Sequence, residues 1–192
     1  MSTCANNDAS GYMGNAETRM RATARDPQYH PVLILWPNNN ASSKCAEIDY
    51  AEGTTETAQM KLFLHHACGG SDFQTTTSTP IDPTQWHNYA VEWTPSGITG
   101  DIDGVKTFTD TNPAHQPGVG MHQTLQLDWF PTGGAAKSSQ CRLIGSASTS
   151  SPTPKTRGAR AAGGPTDSRR PLRTVSSVRR AAVEYVRSTP PK

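Results

Sequence analysis

Three carboxylates fall within six residues of a strand-like stretch, and this crowding constrains the fold more than any other feature of the chain. The stretch, AEIDYAEG at residues 46–53, carries Glu47, Asp49 and Glu52. Side chains alternate between the faces of a strand, so Glu47 and Asp49 share one face and Glu52 points to the other. A β-bulge at Tyr50-Ala51 would return Glu52 to the first face, and bulges are common beside active sites. The spacing therefore predicts a bulged strand with three carboxylates on one side.

The spacing of these carboxylates suits glycoside hydrolysis. With one residue absorbed by the bulge, Glu47 and Glu52 lie about four strand steps apart, roughly 13 Å at about 3.3 Å per residue. Side chains that lean towards each other would bring their carboxyls near the roughly 5–5.5 Å that retaining glycosidases use. Three like charges this close cannot all ionise freely, so at least one pKa is expected to rise, as a general acid requires. A solvated acidic strand edge is the competing interpretation, because the pattern is short.

Other segments also show the periodicity of strands. A continuous apolar run at residues 32–37 ends in Trp36-Pro37, and the strand-like residues 60–68 include His65. The flat indole of Trp36 suits either a sugar-stacking platform or a place in the core. Residues 86–95 put Tyr89, Val91 and Trp93 on one face, and Asp103-Gly104 is a hairpin signal. Together with 16 Gly and 15 Pro, these segments indicate short strands joined by turns.

The segment 121–130 alternates cleanly between an apolar and a polar face. The polar face carries His122, Thr124, Gln126 and Asp128. Such side chains suit a cleft that binds sugar hydroxyls through hydrogen bonds, and a solvent-facing side of a sheet explains the pattern equally well.

Four motifs, in order, resemble glycoside hydrolase family 16 in its bulged, laminarinase-like form. They are the ExRxR of residues 17–21, the Trp-Pro of residues 36–37, the ExDxxE of residues 47–52, and the WHNYAVEWTP of residues 86–95 with its following hairpin. The resemblance covers residues 17–140. It implies an all-β, concanavalin A-like jelly-roll sandwich of two antiparallel sheets, incomplete at both ends.

The resemblance also implies roles for residues of the acidic stretch. Glu47 corresponds to the nucleophile, Glu52 to the acid/base, and Asp49 to the group between them. His65 corresponds to a histidine near the acid that could tune Glu52 or bind a hydroxyl, although an isolated histidine is more often structural. The strand with His122, Gln126 and Asp128 corresponds to a cleft lining, and with Trp36 these residues complete the expected substrate-binding set.

The implied activity is retaining endo-hydrolysis of a β-glucan, with β-1,3 linkages favoured. The expected partner is therefore a β-glucan polysaccharide or oligosaccharide, bound by a monomer. The alternatives are a non-catalytic carbohydrate-binding jelly roll, which has no need of paired acids, and an inactive fragment of the hydrolase.

No cofactor or metal is expected, because the six histidines include no HExxH or comparable ligand pair. No membrane segment is expected either, because no run approaches the roughly 18 apolar residues of a membrane helix. The resemblance implies secretion, although no signal peptide is visible. The four cysteines have no metal-type spacing and define no disulfide framework.

The charge of the chain changes sign after Gln140. Residues 1–140 hold 7 Lys+Arg against 14 Asp+Glu, a net charge of −7, whereas residues 141–192 hold 11 against 2, a net charge of +9. The family should close with a strand like MQVDWVRVY, and codons for that strand read one base out of frame give CRLIGSAST, the sequence of residues 141–149. A natural basic tail that binds nucleic acid is the alternative, but nucleic acid is not the expected partner.

These observations predict three regions. Residues 1–16 are expected to be an irregular N-terminal segment, residues 17–140 a partial catalytic domain, and residues 141–192 a basic, disordered tail translated out of frame. The family has strands upstream of the ExRxR segment, so the domain is also expected to be truncated at its start.

Overall fold

The strands of this chain form two antiparallel sheets. The structure is a computed structural model that describes residues 4–5, 14–24, 26–40, 46–66, 74–150 and 184–188. The strands in these ranges are β1 (Cys4–Ala5), β2 (Gly14–Ala22), β3 (Tyr29–Pro37), β4 (Glu47–Glu52), β5 (Gln59–His65), β6 (Gln74–Pro80), β7 (His87–Thr94), β8 (Gly97–Ile102), β9 (Val105–Asp110), β10 (Met121–Trp129), β11 (Ser139–Ser150) and β12 (Glu184–Ser188). One 3₁₀ turn, Pro113–His115, follows β9.

Each sheet has six of these strands. The front sheet has the order β1-β10-β3-β4-β5-β6, and the back sheet has the order β12-β11-β2-β7-β8-β9. The expected all-β jelly-roll sandwich is confirmed. In the part of the chain that the structure describes, no helix is long and apolar enough to cross a membrane.

The core lies between the sheets and is built from alternate residues of each strand. Leu33, Ile48 and Leu64 of the front sheet and Tyr89 and Val91 of the back sheet are at most 1% exposed. Each such aliphatic side chain contributes about 1.5–3 kcal/mol to folding when fully buried. The other face of the front sheet, called here the front face, carries the polar side chains of the same strands.

The predicted hairpin between β8 and β9 is confirmed. Asp103 has a φ of 53° and Gly104 a φ of 76°. Two consecutive residues with positive φ make the tight turn that matches the twist of the flanking strands. The predicted shared face of Tyr89, Val91 and Trp93 is confirmed as well, since all three side chains are buried.

The structure differs from the predicted domain boundaries at both ends. β11 continues the back sheet to Ser150 by pairing with β2, and Cys141 and Leu143 alternate into the core. Glu184–Ser188 pair with β11 as β12. A disordered tail over residues 141–150 and 184–188 is therefore wrong, because backbone pairing with neighbouring strands gives these residues a place in the sheet. Residues 151–183 and 189–192 lie outside the described residues, and an out-of-frame origin stays a prediction.

The irregular segment predicted for residues 1–16 is corrected in the same way. Cys4–Ala5 pair with β10 as β1, and β2 already begins at Gly14, where it pairs with Trp93 of β7. The ladder of backbone hydrogen bonds does not depend on side-chain periodicity, so strand structure reaches further than the pattern. Residues 1–3 and 6–13 lie outside the described residues.

Candidate active site

The predicted bulge is present in β4. Along β3, Leu33 pairs with Ala51 and the next residue, Ile34, pairs with Asp49, so one residue of β4 is extra. The pairing with β5 also shifts here, since Asp49 pairs with Phe63 and Glu52 pairs with Lys61. Tyr50 and Ala51 are 3% and 1% exposed and both belong to the core. The bulge therefore resets the alternation, and Glu52 returns to the front face beside Glu47 and Asp49.

A buried polar network between the two sheets holds the bulge in place. The hydroxyl of Tyr50 lies 2.9 Å from Oγ1 of Thr18 on β2. The Nε2 atom of Gln123, on β10, donates to both hydroxyls, at 2.7 Å from Thr18. Burial raises the pKa of Tyr50 to about 12, so the phenol stays neutral. Because the three partners come from different strands, the network fixes the bulge relative to both sheets.

Glu47 and Asp49 form a pair of buried carboxyls. Their residues are 9% and 4% exposed. Burial, followed by the charge of Asp49, raises the pKa of Glu47 to about 8. Burial, followed by the charge of Glu52, raises the pKa of Asp49 well above its usual range. Two such carboxyls retain a proton between them near neutral pH. The predicted rise of at least one pKa is thus found in this pair.

His65 lies beside this pair. It pairs in register with Glu47, and its Nε2 atom lies 3.2 Å from Oδ2 of Asp49. The prediction placed His65 near the acid Glu52, whereas this hydrogen bond joins it to Asp49. Donor atoms of Glu47, Asp49 and His65 all lie within 4.8 Å of one another, a set that could hold a divalent cation. The expectation of no metal stays a prediction.

Trp36 and His122 lie side by side on neighbouring strands. They are a register pair of β3 and β10, and both are partly exposed. The indole Nε1 of Trp36 donates to Oδ1 of Asn40 at 3.0 Å, and Nδ1 of His122 lies 2.8 Å from Oδ1 of Asn38. Burial lowers the pKa of His122. The structure thus places Trp36 outside the core, on the front face, where the sugar-platform interpretation requires it.

Gln126 and Asp128 occupy the other end of β10. They pair in register with Val32 and His30 of β3. The side-chain amide of Gln126, oriented to donate, lies 3.0 Å from Oδ2 of Asp128. Burial and then the charge of Glu52 raise the pKa of Asp128. The front face therefore carries polar side chains at both ends of β3 and β10, and the apolar Val32 and Ile34 of β3 lie between these ends.

Two residues of this face escaped the sequence-based predictions. His30 brings its Nδ1 atom to 3.8 Å from Oε1 of Glu52, and its Nε2 atom lies 3.2 Å from the carbonyl oxygen of Pro27. The ring of Phe130 lies over His30 at 4.6 Å. An even offset of six from Trp36 puts His30 on the same face of β3, and that spacing could have identified it. Phe130 follows the last residue of β10, and it was not among the residues predicted for the polar face of segment 121–130.

Comparison with known families gives one match that covers most of the chain. The family model described as glycosyl hydrolases family 16 matches residues 2–158. No curated protein sequence matches the chain.

Solved structures resemble the chain in fold. The catalytic domain of an endo-1,3-β-glucanase (laminarinase) from Thermotoga petrophila RKU-1 superposes with a TM-score of 0.59 at 15% identity, covering 72% of this chain and 63% of that one. A family 16 endo-glucanase from Bacteroides ovatus has a TM-score of 0.53 at 16% identity, covering 67% and 60%. A Crh5 transglycosylase in complex with NAG has a TM-score of 0.52 at 24% identity, covering 68% and 56%. The chain thus spans less than two thirds of each structure.

Proposed function

The chain belongs to the glycosyl hydrolases of family 16, and on that premise we propose that it cleaves the internal bonds of a β-glucan with retention of configuration, β-1,3 linkages being the preferred substrate. The observation that carries the proposal is the bulge at Tyr50-Ala51, which aligns Glu47, Asp49 and Glu52 on one face. A carbohydrate-binding protein would need neither the bulge nor a buried pair of carboxyls, Glu47 and Asp49, with raised pKa values.

Glu47 acts as the nucleophile in the first step. Its carboxylate oxygen attacks the anomeric carbon, and the bond from that carbon to the leaving oxygen breaks. Glu52 donates its proton to the leaving oxygen, so the leaving sugar departs as a neutral alcohol. In the second step Glu52 accepts a proton from water, and the water oxygen displaces Glu47 from the anomeric carbon. Two displacements at the same carbon restore the original configuration.

Because Glu47 and Asp49 share one proton, the charge of Glu47 can change between the two steps of the reaction. When Asp49 holds the proton, Glu47 is ionised and can attack. Once Glu47 is esterified its charge is gone, and the pKa of Asp49 loses the contribution of a charged neighbour. The hydrogen bond from His65 to Asp49 keeps the latter in place. In this proposal Asp49 and His65 orient the nucleophile and set its charge, and neither reacts with the sugar.

Substrate contacts come from the rest of the front face. Trp36 offers an indole to the apolar side of a pyranose ring, and His122, Gln126 and Asp128 offer hydrogen-bonding groups to its hydroxyls. Half-buried polar groups are suited to this task, because they are held in position yet remain accessible to a ligand.

The test uses purified protein with β-1,3-glucan, mixed-linkage β-1,3-1,4-glucan and β-1,4-glucan. We expect release of reducing ends from the β-1,3-glucan at the highest rate, and early products with the β configuration in anomeric NMR. A Glu47→Gln variant measured in parallel controls for contaminating activity. Binding of the glucans without any turnover would favour the carbohydrate-binding alternative, and net inversion would contradict the roles given to Glu47 and Glu52.

A further inference from the structure

Glu47, Asp49 and His65 form a compact set of side chains that can ligate a metal ion. Glu47 and Asp49 are two residues apart on β4, and His65 of β5 pairs in register with Glu47. Residues opposite each other on antiparallel strands have Cβ atoms about 4.5–5.5 Å apart. One donor atom from each of the three side chains lies within 4.8 Å of the others. The two strands thus bring two oxygens and one nitrogen together.

One buried oxygen of this set has no hydrogen-bond donor. Oδ2 of Asp49 lies 3.2 Å from Nε2 of His65, whereas Oδ1 is buried and accepts no hydrogen bond from the residues that the structure describes. The side chain of Asp49 is 6% exposed. A buried carboxylate oxygen without a partner has lost its hydration, and either a proton or a cation compensates for that loss. A proton shared with Glu47 is one such partner, and a metal ion is the other.

The positive side chains of the front face lie close to Glu52 and leave the buried pair on β4 to its own histidine. Lys61 pairs in register with Glu52, and Nδ1 of His30 lies 3.8 Å from Oε1 of Glu52. The buried pair lies beside His65 instead, and one imidazole neutralises at most one of two negative charges. A doubly charged cation at the same point would balance both carboxylates.

The donor set selects the class of metal. One imidazole nitrogen with carboxylate oxygens suits Zn²⁺, whereas Mg²⁺ and Ca²⁺ prefer oxygen ligands in larger number. Zn²⁺ with three protein ligands keeps a fourth position for water or another small ligand. Solvent reaches the set from the front face, because the side chain of His65 is 18% exposed.

The ring of His65 is held by its neighbours on β5. Phe63 stacks on it with 6.2 Å between the ring centroids and 16° between the planes. Nζ of Lys61 lies 5.8 Å from the centroid of the Phe63 ring. Contacts that orient a histidine ligand strengthen metal binding, because less conformational freedom is lost when the ion binds.

We propose that Glu47, Asp49 and His65 bind Zn²⁺, and that the bound ion inhibits the glycosidase. The binding rests on the geometry, whereas the inhibition also rests on the proposed function. Zn²⁺ takes the place of the proton that Glu47 and Asp49 share, and this proton is released to solvent. An oxygen of Glu47 that donates its electron pair to the ion cannot donate it to an anomeric carbon. Zinc thus blocks the nucleophile.

Calorimetry of the metal-free protein tests the site without any glucan. After treatment with EDTA and its removal, the full chain is titrated with Zn²⁺ and, separately, with Mg²⁺. We expect one equivalent of Zn²⁺ per chain and an affinity for Mg²⁺ at least about tenfold weaker, because Mg²⁺ gains little from an imidazole. Equal affinities for the two ions would overturn the proposal, since attraction by carboxylates alone would then explain the binding.

Two substitutions within the set should weaken the binding of Zn²⁺. His65→Ala removes the nitrogen ligand, and Asp49→Asn removes a charged oxygen ligand and keeps the shape of the side chain. Each should lower the affinity at least about tenfold. Asp49→Asn creates no cavity, so it carries the test even if His65→Ala fails to fold. Unchanged affinity in either folded variant would overturn the proposal.

His115 provides the matched control. Its ring stacks on that of His66 with 3.6 Å between the centroids, a second place where imidazoles are close together. His115→Ala should leave the affinity for Zn²⁺ unchanged. A loss as large as that in His65→Ala would assign the zinc to the stacked histidines and overturn the proposal.

An activity measurement separates the metal site from the proposed function. With β-1,3-glucan as substrate, the rate of hydrolysis should fall as the zinc site fills, and EDTA should restore it. Hydrolysis at the full rate with one equivalent of Zn²⁺ bound would overturn the proposal, because Glu47 would then not be a ligand. Binding of Zn²⁺ that depends on His65, in a protein that hydrolyses no glucan, would support the metal site and contradict the proposed function.

Discussion

The carboxylates of β4 and those at the ends of β8 and β9 experience opposite environments. On the back sheet, Asp110 accepts from Nδ1 of His115 at 2.7 Å and from the N–H of Asn112 at 2.8 Å. Burial alone would raise the pKa of Asp110, but these two donors outweigh it and the pKa is lowered. On the front sheet, burial and like charges raise the pKa values of Glu47 and Asp49.

Hydrogen-bond donors contribute to the contrast, because only Asp110 has donors that outweigh the effect of burial on its pKa. Asp110 is 8% exposed and Glu47 is 9% exposed, so the two residues have nearly the same exposure to solvent. The carboxylate of Asp110 accepts hydrogen bonds from a backbone N–H and an imidazole, whereas the carboxyl of Glu47 lies next to another carboxyl. Buried carboxylates with donors stabilise a fold, and buried carboxyls beside each other are held at a cost to stability. The front face therefore has the features of a reactive site and the back sheet those of a structural one.

The largest expected effect is on turnover by the front-face pair. Glu47→Gln preserves shape and removes the nucleophile, so hydrolysis of β-1,3-glucan should fall by at least about 10⁴-fold, as for other nucleophiles that act as part of a unit. Initial rates of reducing-end release measure this. Asp110→Asn is the matched control and should retain activity. If Glu47→Gln hydrolysed the glucan at an undiminished rate, the front-face carboxyls would be no more reactive than those of the back sheet.

A smaller loss is expected at the acid/base. Glu52→Ala should lower turnover of β-1,3-glucan by about 10²–10⁴-fold, the range for removal of a general acid. Azide should restore part of the rate on a substrate with a good leaving group, because it can attack the glycosyl-enzyme without a base. The glycosyl azide product identifies this path. Absence of rescue, together with full rescue of Glu47→Gln, would reverse the roles of the two residues.

The site was largely predictable because its geometry is local. Glu47, Asp49 and Glu52 lie in one strand, and the odd spacing of Glu52 itself requires a bulge if all three share a face. His65 was placed on the strand that follows the acidic one but was assigned to Glu52, because its contact with Asp49 depends on the shifted pairing of β4 and β5. Such pairing is a property of two strands, and neither sequence shows it alone.

The fold was predictable where alternation is strong and failed where it is weak. A buried strand is predicted by three alternating apolar side chains, those of Tyr89, Val91 and Trp93, and all three are buried. In β11 only Cys141 and Leu143 of the described side chains reach the core, followed by a register shift before Ser146. Two apolar residues in a basic, serine-rich context are too weak a signal, and pairing with β2 decides the structure.

Glu47→Gln should also stabilise the protein. The equivalent substitution of a back-sheet carboxylate such as Asp110 should not. The pKa of Glu47 rises from 4.5 in the unfolded chain to about 8 in the fold. Wild-type stability therefore declines as the pH rises from about 4.5 to about 8, and glutamine has no charge to lose. We expect the free energy of unfolding to increase by about 2 kcal/mol at pH 8 and by little at pH 4. The value at pH 8 is smaller than the full pKa shift would give, because Glu47 shares its proton with Asp49. Urea unfolding at both pH values measures it, and a gain that is independent of pH would contradict the assignment.

The smallest expected effect has the opposite sign and concerns Asp110. Asp110→Asn keeps an acceptor for the N–H of Asn112 but removes the charge that faces His115, which should cost about 1 kcal/mol at pH 7. Because the folded pKa of Asp110 is lowered below 3.8, its contribution is present above that pH and is lost as the pH falls through the folded pKa. The variant and the wild type should therefore converge in stability once the pH is below the folded pKa of Asp110. Asp103→Asn serves as the comparison, since the side chain of Asp103 is 47% exposed and its bond to His87 is screened by solvent. If Asp110→Asn raised the stability at pH 7, as Glu47→Gln is expected to do at pH 8, donors would not explain the difference between the two sheets, and burial would have to be the dominant cause in both.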